Sequence, residues 1–583
     1  MELDALVKQR FQHWTENEYF DQQTKDELLQ IIDPKEIEDR FYTELEFGTG
    51  GMRGVLGAGT NRMNKYIIRK VTQGLAEVML EQDPANAQKG VVIAYDSRRY
   101  SAEFALETAL VLAANGIKAY LFESLRPTPE LSFAVRYLQT SAGVNITASH
   151  NPKDYNGYKV YWEDGGQIPP QLAKLIVAKV TNQDWTAQPL GLEEAKAKGL
   201  LETVGEQVDR AYFEQIKKQL LFPELAKIFG RDLKIVFTPL HGTGGRPVLS
   251  LLKEIGFTSV YIVSEQAEPD PEFPTVLSPN PEDPAAFELA LQYAQDKQAD
   301  IILATDPDAD RLGLYAKDQN GEFRRFTGNQ IGVLLEYYLL SQKKKAGCLA
   351  ENSVIVKTVA STDLGEAIAT DFGAQTLNVL VGFKYIGEQI KIMEQNRSGV
   401  YVFGFEESHG YLAGTYARDK DAVQAAALLA EAALYYRTKE GLTLPEVLEK
   451  IFKNYGYYLD EQIAVTLKGK EGKEKIAAVM DLLRRQKKDS LAGIPIKSID
   501  DFQTGQKLHI QENRTSSIDL PRENVLRFSF MGGGFVMARP SGTEPKIRFY
   551  FCVKGDSYEQ TAELLELVKK DFFIDIPLLE AGI

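Results

Sequence analysis

Short apolar runs alternate with amphipathic segments of helical length through most of this chain of 583 residues. The apolar run Val91–Tyr95 precedes the helical pattern of Ser101–Ala114, and a second apolar run, Ala119–Phe122, comes next. The same order begins again at residue 233 and near Gly328. Strands that alternate with helices in this way are typical of α/β units. We therefore predict three similar α/β domains built on mixed sheets.

The pattern changes beyond about residue 456. Helical patterns at 473–483 and 557–570 lie among strand patterns at 525–528 and 547–550, which is typical of an α+β domain. A chain of this length fits three to five domains. Three α/β domains and one α+β domain are thus predicted, with boundaries at 1–210, 211–325, 326–456 and 457–583.

The net charge, the start of the chain and the cysteine content indicate where the protein works and which ligands it can bind. A net charge of −15 should repel nucleic acid and anionic membranes, so an anionic ligand would need local basic groups. The acidic start of the chain shows no signal segment, and no apolar run is long enough to span a bilayer. Cys348 and Cys552 alone do not suggest a disulfide framework. These features predict a cytoplasmic protein that binds neither nucleic acid nor membranes.

The segment T-A-S-H-N-P at 147–152 carries a candidate nucleophile. Ser149 lies where an apolar run gives way to an Asn-Pro turn, which is an exposed position suited to a nucleophile. His150 follows it directly, and Lys159 lies ten residues further on. The competing interpretation is a turn serine, because Ser, Asn and Pro all favour turns.

The segment D-P-D-A-D-R at 306–311 follows a buried strand and predicts a cation site. Asp306, Asp308 and Asp310, in an extended loop, should point the same way, and their mutual repulsion calls for a cation. Ligands that are all oxygen favour Mg²⁺ over zinc. The adjacent Arg311 suggests a site for negatively charged oxygens, and the competing interpretation is a solvated acidic turn.

Two further loops suggest ligand contacts. R-P-S-G-T-E-P-K-I-R at 539–548 combines small residues and hydroxyls with Arg539 and Arg548, which suits an anion cradle; the alternative is a polar surface turn. G-F-E-E-S-H-G at 404–410 follows another strand and offers carboxylates and a hydroxyl that suit sugar hydroxyls, although acidic loops are common.

Three weaker segments complete the candidates. Gly48–Gly54 resembles a dinucleotide fingerprint without its third glycine, and it is predicted to be a flexible loop that carries Arg53. The segments 238–246 and 382–387 could bring His241 and Lys384 to a cleft. For both of these segments a structural turn is at least as good an interpretation.

Together these loops offer a nucleophilic serine, a hard-metal site, a sugar-type loop and a separate phosphate cradle. That set is explained if the site holds two phosphate groups. One of them would be transferred at Ser149, and the other would be bound by residues 539–548. A phosphatase or a kinase would not need both.

In the order and content of these four motifs, the chain resembles the α-D-phosphohexomutase superfamily over nearly its whole length, in particular the longer phosphoglucomutase-type members related to phosphopentomutases. The resemblance implies four domains around a central cleft, each giving one loop. It implies that Ser149 is phosphorylated and that one Mg²⁺ is bound by Asp306, Asp308, Asp310 and the phosphoserine.

The resemblance also implies roles for the other loops. Lys159 would be the general acid or base, His150 its helper, and Arg53 and Arg311 further catalytic cations. The remaining candidates would bind substrate; they are Glu406, Ser408, Lys384, His241, Arg539, Ser541, Gly542, Thr543 and Arg548.

The implied reaction interconverts α-D-glucose 1-phosphate and glucose 6-phosphate, with glucose 1,6-bisphosphate as intermediate and activator. Phosphopentomutase, phosphomannomutase, sugar-bisphosphate synthase and phosphatase activities are alternatives, as is a non-catalytic sensor of sugar phosphates. The expected partners are small sugar phosphates, and the expected assembly is a monomer or a homodimer.

Overall fold

The structure is a computed structural model that describes residues 4–48, 50–181, 185–467, 469–486, 488–541, 546–574 and 576. Its helices are, in order, α1 Ala5–Glu16, α2 Gln22–Leu29, α3 Pro34–Phe41, α4 Lys65–Gln82, α5 Asn86–Lys89, α6 Ser101–Ala114, α7 Thr128–Tyr137, α8 Pro170–Thr181, α9 Leu192–Ala197, α10 Glu206–Lys217, α11 Pro223–Phe229, α12 Gly245–Ile255, α13 Ser264–Ala267, α14 Glu288–Lys297, α15 Gly328–Lys345, α16 Leu364–Phe372, α17 Phe383–Asn396, α18 Ala422–Tyr435, α19 Leu444–Tyr455, α20 Gly469–Arg485 and α21 Tyr558–Ile574.

The strands of the described residues are β1 Gly51–Val55, β2 Val91–Tyr95, β3 Ala119–Phe122, β4 Ala142–Ile146, β5 Tyr155–Trp162, β6 Leu201–Val204, β7 Ile235–Thr238, β8 Val260–Ile262, β9 Ile301–Thr305, β10 Leu312–Lys317, β11 Phe323–Phe326, β12 Ser353–Thr358, β13 Gln375–Val379, β14 Val400–Glu406, β15 Gly410–Ala413, β16 Tyr457–Thr466, β17 Ser490–Leu491, β18 Ile494–Asp501, β19 Gln506–His509, β20 Arg514–Ser517, β21 Leu526–Phe530, β22 Gly534–Pro540 and β23 Lys546–Gly555.

The chain divides into two compact units. The first unit comprises Met1–Lys317, Gly387–Gln395 and Gly410–Glu440. The second unit comprises Asp318–Ile386, Asn396–His409 and Gly441–Ile583.

The first unit contains two mixed sheets. In one, the strand order is β1-β5-β4-β2-β3-β6, with β2, β3, β4 and β6 parallel and β5 antiparallel to β4 and β1. In the other, β10-β9-β7-β8 follow one another, and β10 is antiparallel to β9. The strands β2, β4, β7 and β9 are almost wholly buried, as parallel strands covered by helices are.

The second unit contains a parallel sheet and an antiparallel sheet. Strands β13, β12 and β14 pair in parallel. The C-terminal sheet is antiparallel, in the order β16-β23-β22-β21-β18-β19-β20, and α20 and α21 pack against it around a core that includes Phe528, Phe549 and Phe572. The combination of mixed-sheet α/β domains with a C-terminal α+β domain confirms the predicted fold class.

The N-terminal region consists of three short helices that cover an aromatic cluster. Trp14, Phe20 and Phe41 are buried there, and they pack with Tyr66 of α4. The spacing of Leu6, Phe11, Trp14 and Phe20 predicts a single apolar helix face, but Leu6 is 48 % exposed. The single-face pattern fails because Phe20 lies between two helices and not on a continuous one.

The glycine-rich segment around Arg53 was predicted to be a flexible loop. This prediction is wrong, because the segment includes strand β1. Gly51 pairs with Lys159 of β5, and a Cβ atom at Gly51 would lie 2.0 Å from the carbonyl oxygen of Tyr158. Glycine is required there because the two backbones approach so closely, and φ of Gly51 is +143°. A glycine run thus marks close strand packing in this case.

Among the helices of the described residues, none combines the length and the apolar character that a bilayer crossing requires.

Candidate active site

Ser149 follows β4 on a sharply turned backbone. Its φ of +52° lies in the left-handed region. The predicted exposed position is wrong, because the hydroxyl faces Asp306 of the acidic loop and the side chain is buried. The Ser149 N–H donates to Thr147 Oγ1 at 2.8 Å, which holds this turn. Ser149 Oγ donates to Asp306 Oδ2 at 2.8 Å and lies 3.2 Å from His150 Nδ1. The structure therefore brings the predicted nucleophile, its histidine and the first carboxylate of the acidic loop together.

Arg98 fixes the loop that carries Ser149, and sequence reasoning did not single it out. Its buried guanidinium donates to the carbonyl oxygens of Ser149, Asn151 and Pro152 in the loop and of Tyr155, the first residue of β5. Asp96 lies 3.3 Å from Arg98 Nε. Burial lowers the pKa of Arg98, and the Asp96 carboxylate acts in the opposite direction. Arg98 follows shortly after the end of β2, as Ser149 follows β4, and this position is the signal that could have identified it.

The acidic loop is a turn and not the extended segment that was predicted. Ala309 has a φ of +50°, and the N–H groups of Asp310 and Arg311 both donate to Asp306 Oδ1, at 3.1 and 3.0 Å. The turn gathers the carboxylates of Asp306, Asp308 and Asp310, so that one oxygen from each lies within 4.8 Å of the others. All three side chains are buried.

Two of the three carboxylates have one oxygen held by the protein and one without a hydrogen-bond partner. Asp308 Oδ2 accepts from Thr128 Oγ1 and from Lys159 Nζ, both at 2.7 Å, whereas its Oδ1 is buried and unpartnered. Asp310 Oδ2 lies 2.9 Å from Lys420 Nζ, and its Oδ1 is likewise unpartnered. Buried carboxylate oxygens without a donor are costly, so these residues fit a hard divalent cation.

In the acidic loop, the pKa values of Asp306 and Asp308 are shifted in opposite directions. Burial, followed by the charges of Asp308 and Asp310, raises the pKa of Asp306 well above its usual range. Burial acts on Asp308 in the same direction, but the Lys159 ammonium outweighs it and lowers the pKa of Asp308. Burial also lowers the pKa of Lys159, and the Asp308 and Asp310 charges reverse this, so that the pKa of Lys159 is raised.

Lys420 was not predicted, although the structure places it beside the predicted residues. It contacts Asp310 as described and lies 3.4 Å from Asp419 Oδ1, while Asp419 Oδ2 accepts from Tyr161 of β5 at 2.7 Å. The Ala422 N–H donates to the carbonyl oxygen of Ala309 at 3.2 Å, which fixes this segment to the acidic loop. The segment R-D-K-D at 418–421 contained charged residues, but nothing in the sequence linked it to residues 306–310.

The other predicted cations of the first unit lie around Ser149. Arg311 forms an ion pair with Glu282, and Ser278 Oγ, four residues before Glu282, donates to the carbonyl oxygen of His150 at 3.1 Å. Arg53 is exposed on β1 and donates to Asn151 Oδ1 at 2.7 Å, two residues beyond Ser149. Arg53 therefore contacts the loop of Ser149 directly, and the segment that pairs with Arg311 contacts the same loop.

His241 lies in a loop that supports the acidic turn. Its ring Nε2 is 2.9 Å from Thr275 Oγ1, and burial lowers its pKa. The Thr243 N–H donates to the Pro307 carbonyl oxygen at 2.8 Å, and a Cβ atom at Gly242 would lie 2.4 Å from Pro307 Cα. The loop therefore packs closely on the acidic turn. Within the described residues, no hydrogen bond joins His241 to Ser149 or to the carboxylates.

In the second unit, the predicted phosphate loop connects β22 and β23. Arg539 and Arg548 are directly opposed in the register of these strands, and the Ser541 N–H donates to the Lys546 carbonyl oxygen at 2.7 Å. Like charges that face each other across a sheet repel, so the pair favours a bound anion. Gly542 and Thr543 lie outside the described residues.

The predicted sugar loop contributes buried groups to the same unit. Glu406 and Ser408 are buried at the end of β14. Glu407, which was not predicted, accepts from Thr358 Oγ1 at 2.7 Å. Burial raises the pKa of Glu407, and the charges of Arg539 and Arg548 oppose this. The two arginines thus act electrostatically on the predicted sugar loop.

Lys384 lies in the first turn of α17, which follows β13, and it belongs to the same unit. Its Nζ lies 4.7 Å from the centre of the Tyr385 ring. Tyr385 Oη donates to Glu523 Oε1 at 2.6 Å, and Glu523 Oε2 lies 3.9 Å from Arg539 Nε. This chain of contacts connects the segment of Lys384 with the predicted phosphate loop.

A buried serine hydroxyl bonded to one carboxylate of an acidic triad, on an α/β scaffold, is an arrangement suited to phosphoryl transfer. The sequence matches domains I, II and III of the family described as phosphoglucomutase/phosphomannomutase, alpha/beta/alpha, over residues 44–187, 210–321 and 327–455. The chain belongs to this family, within the α-D-phosphohexomutase superfamily, and is an isomerase of the phosphosugar-mutase type.

Curated relatives agree with this assignment. The chain is 39% identical over 530 residues to a protein named phosphoglucomutase from Staphylococcus haemolyticus, and the match covers 90% of this chain and 93% of that protein. A phosphoglucomutase from Staphylococcus aureus (strain USA300) is 38% identical over 533 residues, with 91% and 93% coverage. The family implies a bound metal ion, and the acidic triad is a cluster that could hold it.

Two solved structures share the fold. A putative phosphomannomutase from Thermus thermophilus has a TM-score of 0.68 and 24% sequence identity, and it covers 91% of this chain and 98% of its own. Parafusin, a phosphoglucomutase from Paramecium, has a TM-score of 0.67 and 16% identity, and it covers 93% of this chain and 96% of its own.

Proposed function

We propose that this enzyme interconverts α-D-glucose 1-phosphate and glucose 6-phosphate. The observation that carries the proposal is the contact of Ser149 Oγ with Asp306 at the acidic triad, in a chain whose curated relatives are named phosphoglucomutase. Ser149 carries a phosphoryl group and gives it to the sugar phosphate. Glucose 1,6-bisphosphate then forms and reorients, and its other phosphoryl group returns to Ser149.

Residues of the first unit would perform the transfer. In the first transfer, the P–O bond to Ser149 Oγ would break while a P–O bond to a sugar oxygen forms. In the second transfer, a P–O bond to the other sugar oxygen would break while the bond to Ser149 Oγ forms again. His150, whose Nδ1 is 3.2 Å from Ser149 Oγ, and Lys159 would exchange the proton between these oxygens. Arg311 and Arg53 would supply positive charge to the phosphoryl oxygens.

The unpartnered oxygens of Asp308 and Asp310 support a site for one Mg²⁺. Asp306, Asp308, Asp310 and an oxygen on phosphorylated Ser149 would hold it. When bound, the ion supplies positive charge that stabilises the oxygens of the phosphoryl group in transfer.

Residues of the second unit would bind the remainder of the substrate. Arg539, Arg548 and Ser541 would bind the phosphate that is not being transferred, together with Gly542 and Thr543. Glu406 and Ser408 would accept or donate hydrogen bonds to the sugar hydroxyls, and Lys384 would add a positive charge. His241 remains a candidate substrate ligand of the first unit, although its hydrogen bond to Thr275 also supports a structural role.

The proposed substrate is tested by comparing 1-phosphates of glucose, mannose, ribose and N-acetylglucosamine by kcat/KM, with a hexose bisphosphate as primer. We expect the highest value for glucose 1-phosphate. A higher value for ribose or mannose 1-phosphate would indicate a phosphopentomutase or a phosphomannomutase. Net accumulation of bisphosphate would indicate a synthase, net release of phosphate a phosphatase, and binding without turnover a sensor.

The variant Arg548→Ala should weaken the second phosphate site. The loss of one charge-assisted hydrogen bond to a phosphate costs about 1.5–3 kcal/mol, which corresponds to about 10- to 150-fold in kcat/KM. We expect KM to rise and turnover to fall in steady-state assays. Arg514→Ala in the same C-terminal domain, where Arg514 pairs only with Glu512 among its described ion pairs, is the matched control. Unchanged kinetics of Arg548→Ala would contradict the proposed phosphate contact.

We also propose the domain boundaries 1–210, 211–325, 326–456 and 457–583. The family matches over 44–187, 210–321 and 327–455 support them.

The proposed location is the cytoplasm, because both cysteines are free thiols. A monomer or a homodimer is expected, and light scattering of the purified protein would decide between them.

A further inference from the structure

We propose that Thr128 is a positioning residue that makes the acidic triad prefer Mg²⁺ over Ca²⁺. The proposal rests on the cation site of the proposed function. It assigns to the Thr128 hydroxyl the task of holding one oxygen of Asp308, so that this carboxylate can offer only its other oxygen to a cation.

Thr128 contacts Asp308 through both its backbone and its side chain. Its N–H donates to the Asp308 carbonyl oxygen at 2.9 Å, and its Oγ1 donates to Asp308 Oδ2 at 2.7 Å. Thr128 is the first residue of α7 and is fully buried. The main-chain contact fixes the Asp308 backbone against α7, and the side-chain contact fixes the rotation of the carboxylate.

Asn145 determines the direction of the threonine hydrogen bond. Asn145 Nδ2 donates to Thr128 Oγ1 at 2.6 Å, so the single hydroxyl proton of Thr128 is left for Asp308. Asn145 lies on β4 and is directly opposed to Lys159 of β5 in the strand register. Lys159 and Thr128 therefore donate to the same oxygen, Asp308 Oδ2, and Asn145, opposite Lys159 in the sheet, supports Thr128 from the strand side.

The consequence lies in how many oxygens Asp308 can offer. Its Oδ2 receives two donors, whereas its Oδ1 is buried and has no hydrogen-bond partner. Ca²⁺ takes six to eight oxygen ligands and often binds both oxygens of a carboxylate. Mg²⁺ is smaller, keeps several waters and needs few protein ligands. A carboxylate with one oxygen occupied therefore disfavours Ca²⁺ relative to Mg²⁺.

The test is calorimetric titration of the full-length protein, stripped of metal, with MgCl₂ and with CaCl₂. The variants are Thr128→Val, which removes the hydroxyl at similar size, and Thr128→Ser, which keeps it. We expect Thr128→Val to raise the Kd for Mg²⁺ by about 10-fold or more, as is usual when a residue that orients a metal ligand is lost. The Kd for Ca²⁺ should stay nearly unchanged or fall, so that the ratio of the two constants changes by about tenfold or more. Thr128→Ser should retain the wild-type ratio.

Controls separate this effect from a general loss of packing. Thr72 is also a buried threonine of the first unit, and its hydroxyl bonds to Tyr158 Oη at 3.0 Å, so Thr72→Val should leave the ratio unchanged. If Thr128→Val does not fold, Thr128→Cys offers a weaker donor in nearly the same volume and should shift the ratio in the same direction.

The outcomes distinguish the two levels of the proposal. If the wild-type protein binds neither cation, the proposed metal site fails. If the wild-type protein binds Mg²⁺ but Thr128→Val or Thr128→Cys keeps the wild-type ratio, the role of Thr128 is overturned while the metal site stands. An equal shift in Thr128→Ser or Thr72→Val would also overturn it.

Discussion

Replacing Ser149 by alanine should lower kcat/KM by at least about 10⁴-fold, because the variant has no oxygen that can carry a phosphoryl group. Intact-mass analysis of the wild-type enzyme should show a population heavier by one phosphate, and that population should be missing in Ser149→Ala. The fold should be retained, because among the described residues the hydroxyl group bonds to two side chains, those of Asp306 and His150. Circular dichroism and a thermal melt would verify this.

Ser141→Ala is the matched control for the nucleophile. Ser141 lies just before β4 and Ser149 shortly after it, so the two serines mark opposite ends of the same strand. Both are buried, and Ser141 Oγ donates to Asn86 Oδ1 at 2.7 Å. We expect Ser141→Ala to keep both the phosphate and most of the activity. An enzyme that remains active as Ser149→Ala, or that is never phosphorylated while active, would refute the proposed mechanism.

The second large effect is expected for Lys159→Met, with a fall in kcat of about 10²- to 10⁴-fold. Lys159 is within 2.7 Å of Asp308 and 3.4 Å of Asp310, and the raised pKa keeps it protonated at neutral pH. In the proposed mechanism it would donate a proton to, or place a positive charge beside, an oxygen that loses its phosphoryl group. KM should change much less than kcat, because this contribution is made in the transition state.

The variant Lys159→Arg separates the proton from the charge. Arginine keeps the positive charge beside Asp308 and Asp310 but does not give up a proton at accessible pH. We expect Lys159→Arg to recover the urea midpoint that Lys159→Met loses at pH 7, while its kcat stays low. Lys118→Met, which removes a lysine paired with Glu202 at 2.7 Å in the same sheet, serves as the control. Full activity of Lys159→Arg would limit Lys159 to an electrostatic role.

The stability contribution of Lys159 has a definite pH window. Since its folded-state pKa is raised above the unfolded value, the contribution is fully present below the unfolded pKa and is lost as the pH rises through the folded pKa. The difference in urea midpoint between wild type and Lys159→Met should thus be constant through neutral pH and shrink only in strongly alkaline solution.

The strands and the loops that follow them could be predicted from the sequence, because each is a local pattern. A buried run that ends before a polar loop located Ser149, Asp306 and Glu406 at strand ends, where α/β proteins place their ligands. The shape of the acidic loop could not be predicted. Its compact turn depends on the left-handed backbone of Ala309, a conformation that alanine does not signal.

The residues that sequence reasoning missed contact the site over long sequence separations. Arg98, Thr128 and Lys420 lie in other elements than the loops they hold, and only the folded chain brings them to those loops. The strand formed by Gly51–Val55 was missed for a different reason. Its glycines looked like a flexible loop, whereas they are needed because the neighbouring backbone is so close.

The two lysines at the acidic triad have a consequence for how the enzyme is made. Lys159 and Lys420 contact Asp308 and Asp310, so the negative charge of the triad is already partly balanced by the chain itself. Small metal-dependent domains such as zinc fingers lack such internal counter-ions and unfold without their ion. This enzyme should instead fold before it binds its metal ion. A preparation treated with a chelator should be folded but inactive, and it should regain turnover when magnesium is added back.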